Sequence, residues 1–191
     1  MNIETDVPRK RNADATRAAI IEAAEFVFTD KGFDQAGTRE IAERAGVNVA
    51  LINRYFGSKE GLFRETVLPA LSVSREQLSE TNNLAGVLTN MLMNKPDEVR
   101  FDPIIAMLRS ASSETVGPLL QKTVDQQIIQ PIAGHLSSPD GRERASIALA
   151  IFYGYDVLVR MMRLRPYSDP DRQALEARLR AVFDAALCPP N

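Results

Sequence analysis

A single cysteine, Cys188, and a single histidine, His135, in 191 residues exclude several chemistries at once. One thiol near the end of the chain cannot build an internal disulfide framework, and a reducing cytoplasm fits such a protein. One imidazole cannot form a histidine metal cluster and leaves no evident Ser–His–Asp set. No cofactor is expected. Neither a P-loop nor a G-x-G-x-x-G pattern occurs, so the glycine-rich phosphate cradles are missing. Of the enzyme readings, only a site made of carboxylates alone stays open. No run of about twenty apolar residues is present, so no membrane span is expected. The opening MNIETDVPRKRNAD is polar, with mixed charge and no apolar core, so no secretory signal is expected. Few segments alternate with β-branched richness, and no sheet is expected. Internal repeats and low-complexity tracts are also lacking.

Hydrophobic residues make up 45 % and charged residues 25 %, ordinary values for a soluble globular protein. The formal net charge of −2 does not announce a nucleic-acid binder. Local distribution matters more. Arg9, Lys10 and Arg11 cluster ahead of the first helix, and Arg17, Arg39, Arg44, Arg54 and Lys59 fall soon after. Glu22, Glu25, Glu40 and Glu43 accompany them, so a solvated mixed-charge surface explains each basic residue equally well.

The most informative stretch is TREIAERAGVNVALINRYFGSKEGLF, from Thr38 to Phe63. Ile41, Ala42 and Ala45 recur at helical spacing, and Gly46 then permits the left-handed backbone of a sharp turn. Asn48 is suited to cap the next helix. Ile52 and Phe56 lie four residues apart and face Ile41, which leaves Ala50, Asn53 and Arg54 pointing outward. A small residue, an amide and a guanidinium on the free face of a short helix suit a major groove. The pattern predicts a helix-turn-helix that reads DNA.

A first helix is predicted from about Asp14 to Lys31, with Ile20, Ala24, Val27 and Phe28 on its apolar stripe and Gly32 as its stop. Ser58 caps a further helix carrying Leu62, Phe63, Val67 and Leu71, which Pro69 kinks or ends. LAGVLTNMLMN, FDPIIAMLRSA and TVGPLLQKTVDQQIIQPIAGHL each read as helical. From Arg144 to Met162, RASIALAIFYGYDVLVRMM is apolar nearly all round, so every side needs cover. One body of this size covers one face. A symmetric dimer through a four-helix bundle covers the other, and full burial within the monomer is the alternative. Ala148 and Phe152, with Leu175, Leu179, Val182 and Phe183 on the last helix, are the expected interface.

Residues from about Thr16 to Leu62 resemble the N-terminal domain of the TetR family of bacterial transcriptional regulators. The resemblance rests on Ala24, Phe28, Gly32, Phe33, Thr38, Ile41, Ala42, Ala45, Gly46, Val47, Ile52, Tyr55, Phe56, Ser58, Lys59 and Leu62. It implies an all-α homodimer, palindromic operator binding and a ligand-responsive C-terminal domain. Thr38, Tyr55 and Lys59 then correspond to phosphate contacts, with Arg39 beside them, while Asn48, Ala50, Asn53 and Arg54 approach base edges. Leu51 stands where a hydroxyl frequently contacts phosphate, and Asn53 where an aromatic is common. One fewer backbone contact is expected, and the family's base assignment does not carry over directly at Asn53.

The predicted organisation is an arm over residues 1–12, a helix-turn-helix domain over 13–60, and a helical ligand-binding and dimerisation domain over 61–191. The arm's basic residues either follow DNA or form a solvated tail. The helix begun at Ser58 joins the two domains mechanically. Within residues 84–162, Phe101, Met107, Arg109, Gln121, Phe152 and Tyr155 are candidate contacts for a small apolar or amphipathic ligand, against the alternative of ordinary core. A constitutive or architectural DNA-binder without a ligand is the other reading of the body.

Overall fold

Helical periodicity governs the chain, and the computed structural model is helical in the same places. It describes residues 7–73, 78, 83–94, 100–136, 138–164 and 171–188. Helices α1 (Val7–Gln35), α2 (Thr38–Arg44), α3 (Ala50–Phe56) and α4 (Lys59–Thr66) come first, followed by a 3-10 turn at Leu68–Ala70. Helices α5 (Leu84–Met93), α6 (Pro103–Ser110), α7 (Gly117–Val124), α8 (Gln130–Leu136), α9 (Gly141–Asp156) and α10 (Arg172–Leu187) follow. No strand occurs among the described residues. The fold is all-α, as the sequence predicts.

The chain forms two compact units. One holds the described residues up to Ala70 together with Arg100–Gln121; the other holds those of 71–99 and 122–191. The chain therefore passes between them at three points, after residues 70, 99 and 121. The sequence reading places a boundary at residue 60. In the structure α4 lies wholly with the helix-turn-helix, and so does a segment more than thirty residues further on.

In the first unit, Ile20, Ala24, Val27 and Phe28 of α1 are buried with Ile41, Ile52, Phe56, Leu62 and Phe63. The backbone of α1 begins at Val7, inside the stretch read as an arm. Residues 1–6, and the side chains of Arg9, Lys10 and Arg11, lie outside the described residues. The stop predicted at Gly32 is a kink (φ 70°, ψ −177°), after which the helix continues to Gln35.

Helix α6 packs along α1. Asp102 starts it, its carboxylate accepting from the Ile104 and Ile105 amides at 3.0 and 3.2 Å, with Pro103 at the first position. The Asp102 amide in turn donates to the Thr29 hydroxyl at 3.1 Å. At the other end, the Phe33 amide donates to Ser110 Oγ at 2.9 Å, and Ser113 Oγ donates to Asp34 at 2.8 Å. These contacts fix both ends of α6 to α1.

The second unit buries Ala145, Ala148, Leu149 and Phe152 of α9 with Leu179, Phe183 and Leu187 of α10 and Leu84, Leu88 and Leu92 of α5. The buried Arg144 donates to Asp140 at 2.7 Å and to the Leu187 carbonyl at 3.3 Å, satisfying the last turn of α10. Between α7 and α8 the helix widens into a π turn at Asp125–Ile129. Pro131 has no N–H to return to Gln127, four residues earlier. The Gln127 carbonyl instead accepts from the Val73 amide at 3.1 Å.

Candidate nucleic-acid interface

The turn between α2 and α3 is built from local interactions. Gly46 takes φ +67°, while the Gly46 and Val47 amides return to the carbonyls of Glu43 and Ala42 at 3.1 and 2.9 Å. The Asn48 side chain accepts from the Ala50 amide at 2.9 Å, the cap expected of it. With Ile52 and Phe56 in the core, Asn48, Ala50, Asn53 and Arg54 are exposed, as the helical spacing predicts. Thr38 opens α2, half-buried, directly after Gly37, and Arg39 beside it is exposed. Tyr55 is half-buried, its ring centroid 6.4 Å from that of Phe56.

The charge of this face is more specific than the composition suggests. Arg17 pairs with Glu65, Lys31 with Glu40 at 2.5 Å, and Arg64 with Glu60 at 2.7 Å. The Arg44 guanidinium lies 3.4 Å from the centre of the Phe26 ring. Among the described residues, Arg39 and Arg54 enter no ion pair and face solvent. Both flank the outward face of the motif.

Lys59 is placed differently from the rest. Its ammonium donates to the Phe33, Ala36 and Asp34 carbonyls at 2.8, 3.0 and 3.4 Å, and sits 4.4 Å from the centre of the Phe33 ring. Burial holds its pKa below the usual lysine value, with Asp34 pulling the other way. Sequence reasoning places Lys59 at a helix N-terminus, where it first meets anions. It could not see the Phe33, Asp34 and Ala36 carbonyls, which lie 23–26 residues earlier in the chain.

The ligand candidates divide between the units. Phe101, Met107, Arg109 and Gln121 belong to the first: Met107 is buried, Phe101 half-buried, and Arg109 and Gln121 exposed. Phe152 and Tyr155 belong to the second, Phe152 buried and Tyr155 half-buried. A cavity of about 310 Å³ in the first unit is lined by Ala19, Glu22, Ala23, Phe26, Arg44, Ala45 and Arg100, and by none of the six.

The interface candidates also divide. Ala148, Phe152, Leu179 and Phe183 are buried by their own chain. Leu175 is half-buried and Val182 exposed. The solvent side of α9 and its π-turn extension instead carries Ile147, Ile151, Gly154 and Leu158, four residues spaced to share one stripe. The signal was present in the sequence as an all-apolar helix. Which side the protomer covers was not.

Residues 20–66 match the family described as bacterial regulatory proteins, tetR family, and residues 83–187 match the tetracyclin repressor-like C-terminal domain. The chain is 26 % identical over 148 residues to YfiR, an HTH-type transcriptional regulator of Bacillus subtilis (strain 168), covering 64 % of this chain and 72 % of that one. It is 37 % identical over 122 residues to the HTH-type transcriptional regulatory protein RaaS of Mycobacterium tuberculosis, covering 60 % and 55 %. Among solved structures it resembles NalD, the secondary repressor of the MexAB-OprM multidrug efflux pump in Pseudomonas aeruginosa. There the TM-score is 0.65 at 21 % identity, covering 88 % of this chain and 95 % of that one. A transcriptional regulator from Rhodococcus sp. RHA1 gives a TM-score of 0.60 at 21 % identity, covering 93 % and 99 %. Likeness at these identities establishes the fold.

Proposed function

The chain belongs to the TetR family of bacterial regulatory proteins, as a DNA-binding transcriptional regulator and not an enzyme, and from that premise we propose that it is a ligand-released repressor acting as a homodimer on a palindromic operator. The observation that carries this reading is the outward face of α3 and the turn before it, where Asn48, Ala50, Asn53 and Arg54, which enters no ion pair among the described residues, are all exposed. Arg54 suits a guanine edge and the amides suit adenine, while Thr38, Arg39 and Tyr55 hold the phosphates. The protein works in the cytoplasm, where its operator is.

The second copy docks on the apolar stripe of α9 and on Val182 of α10. Ile147 and Leu158, on the α9 stripe, are 53 % and 48 % exposed, and Val182 on α10 is 45 % exposed, high values for large apolar side chains. Gly154 lets a partner helix approach closely. Two headpieces held this way meet successive major grooves about 34–36 Å apart.

Release follows if a small apolar or amphipathic molecule binds the helical body and prefers a headpiece spacing that does not fit the operator. Its effect cannot exceed its differential affinity for the two states. The segment 100–121 supports such coupling, because it leaves the body's sequence to pack on α1 and returns through α7.

Selection from a randomised duplex pool tests the DNA reading, with an enriched inverted repeat as the expected result. Enrichment of single half-sites or of nothing rejects it. On the enriched site, Arg54→Ala is expected to cost about 1–3 kcal/mol and relax one base position. Equal weakening on all sequences would show that Arg54 reads no base. Ile147→Asp with Leu158→Asp is expected to convert the sedimenting species from dimer to monomer and weaken binding to the repeat by about tenfold or more, through lost avidity. A dimer that survives both changes places the interface elsewhere.

A further inference from the structure

We infer that Val49 reads the C5 methyl group of a thymine in each half of the operator, a specificity contact made where α3 begins. The inference rests on the DNA-binding reading of this unit. Helical spacing alone would put Val49 in the core, three residues before Ile52 and seven before Phe56. The structure leaves it out. Ile52 and Phe56 are 0 % and 7 % exposed, whereas Val49 is 38 % exposed.

Val49 does not serve the helix either. It occupies the cap position of α3 with helical backbone angles (φ −55°, ψ −29°), and its side chain makes no capping hydrogen bond. Valine has no side-chain oxygen, and it is among the least favoured residues at such a position. Asn48 supplies the cap instead, accepting from the Ala50 amide at 2.9 Å. The backbone around Val49 is nevertheless well held. The Leu51 and Ile52 amides return to the Asn48 and Val49 carbonyls at 2.9 and 3.1 Å. A branched apolar side chain is therefore presented to solvent on a firm turn, with neither packing nor capping to explain it.

The neighbours of Val49 point to what it meets. Asn48 and Ala50 on either side are exposed, and so is Asn53, one helical turn further on. These are the residues proposed to approach base edges, so Val49 lies within that face. In a major groove only thymine presents a methyl group; the other base edges present donors and acceptors. Against those, a valine forms no hydrogen bond and removes water from groups that need it. Against thymine, two apolar surfaces leave water together. The contact carries no charge and adds nothing to the salt dependence of binding.

The test uses the full chain and the duplex enriched from the random pool, with each thymine replaced in turn by deoxyuridine. That change removes the methyl group and keeps both the pairing and the O4 acceptor. At one thymine in each half-site, the dissociation constant of the parent is expected to rise about fourfold, the worth of one buried methyl group. In Val49→Ala the same replacement is expected to make no difference. With cytosine at that position, 5-methylation is expected to strengthen binding by the parent and not by Val49→Ala. An enriched site without a recurrent thymine in each half overturns the inference. So does a methyl loss that weakens Val49→Ala as much as the parent, because the two groups are then uncoupled.

If Val49→Ala does not fold, the parent complex gives the answer. A nuclear Overhauser effect between the Val49 methyl protons and the C5 methyl of that thymine is expected, and its absence sinks the inference. A parent that enriches no duplex rejects the DNA-binding reading itself, a result distinct from all of these.

Discussion

Phe63→Ala is expected to lower the unfolding free energy of the DNA-binding unit by about 3–5 kcal/mol. Phe63 is fully buried in α4. Its ring meets those of Phe28 and Phe33 edge-on, with centroids 5.0 and 5.4 Å apart and interplanar angles of 78° and 80°. Truncation loses the transfer energy of a benzyl group and leaves a cavity between α1 and α4. It also removes two edge-to-face contacts, each worth about 0.5–1.5 kcal/mol beyond burial. The Phe33 ring also lies under the Lys59 ammonium, 4.4 Å away, so the hole opens beside that contact. Urea titration followed by circular dichroism measures the loss. Phe26→Ala is the comparison: that ring is 37 % exposed, and its loss is expected to cost under about 1 kcal/mol. Equal losses for the two variants would show that the aromatic cluster is not the core of this unit.

Gly32→Ala is the second large effect, at about 2–6 kcal/mol. Two costs add. At φ 70° and ψ −177°, Gly32 occupies a backbone region open essentially to glycine alone, at about 1–3 kcal/mol for another residue. A methyl group there would also fall 2.6 Å from the Arg109 carbonyl oxygen and 2.8 Å from its Cβ. Backbone cannot swing aside as a flexible side chain can, so α6 must shift, at about another 1–3 kcal/mol. That shift draws Ser110 Oγ away from the Phe33 amide, which it meets at 2.9 Å. The same change therefore loosens the attachment of residues 100–121 to the helix-turn-helix. Thermal unfolding of the full chain checks the stability, and operator binding at low temperature checks the attachment. A loss below about 1 kcal/mol would mean that α6 is not seated on the kink.

The sequence by itself determined the elements whose physics is local. Gly46 as a left-handed turn, Asn48 and Ser58 as caps, Ile52 and Phe56 inward, and Asn53 and Arg54 outward all depend on spacings of four residues or fewer. Helical geometry sets those spacings wherever the helix sits. The 3-10 turn at Leu68–Ala70 follows in the same way from Pro69, which lacks the donor α4 would need to continue.

The tertiary structure decided what depends on distant chain. Nothing next to Lys59 in the sequence shows that the Phe33 and Ala36 carbonyls lie against its ammonium. Gly32 reads as a stop until the Arg109 backbone is found resting on it. An α9 apolar on every side does not reveal whether Phe152 or Ile147 is covered by the rest of the chain, because both obey the same periodicity. Only packing by α5 and α10 buries the first and leaves the second exposed. Residues 100–121 carry no local mark of belonging with α1, since the Ser110 and Ser113 hydroxyls suit any amide or carboxylate. Chain folding over some eighty residues chose Phe33 and Asp34 as their partners. Periodicity, caps and turns are short-range and written in neighbouring residues; the choice of partner is long-range and is made only when the core closes.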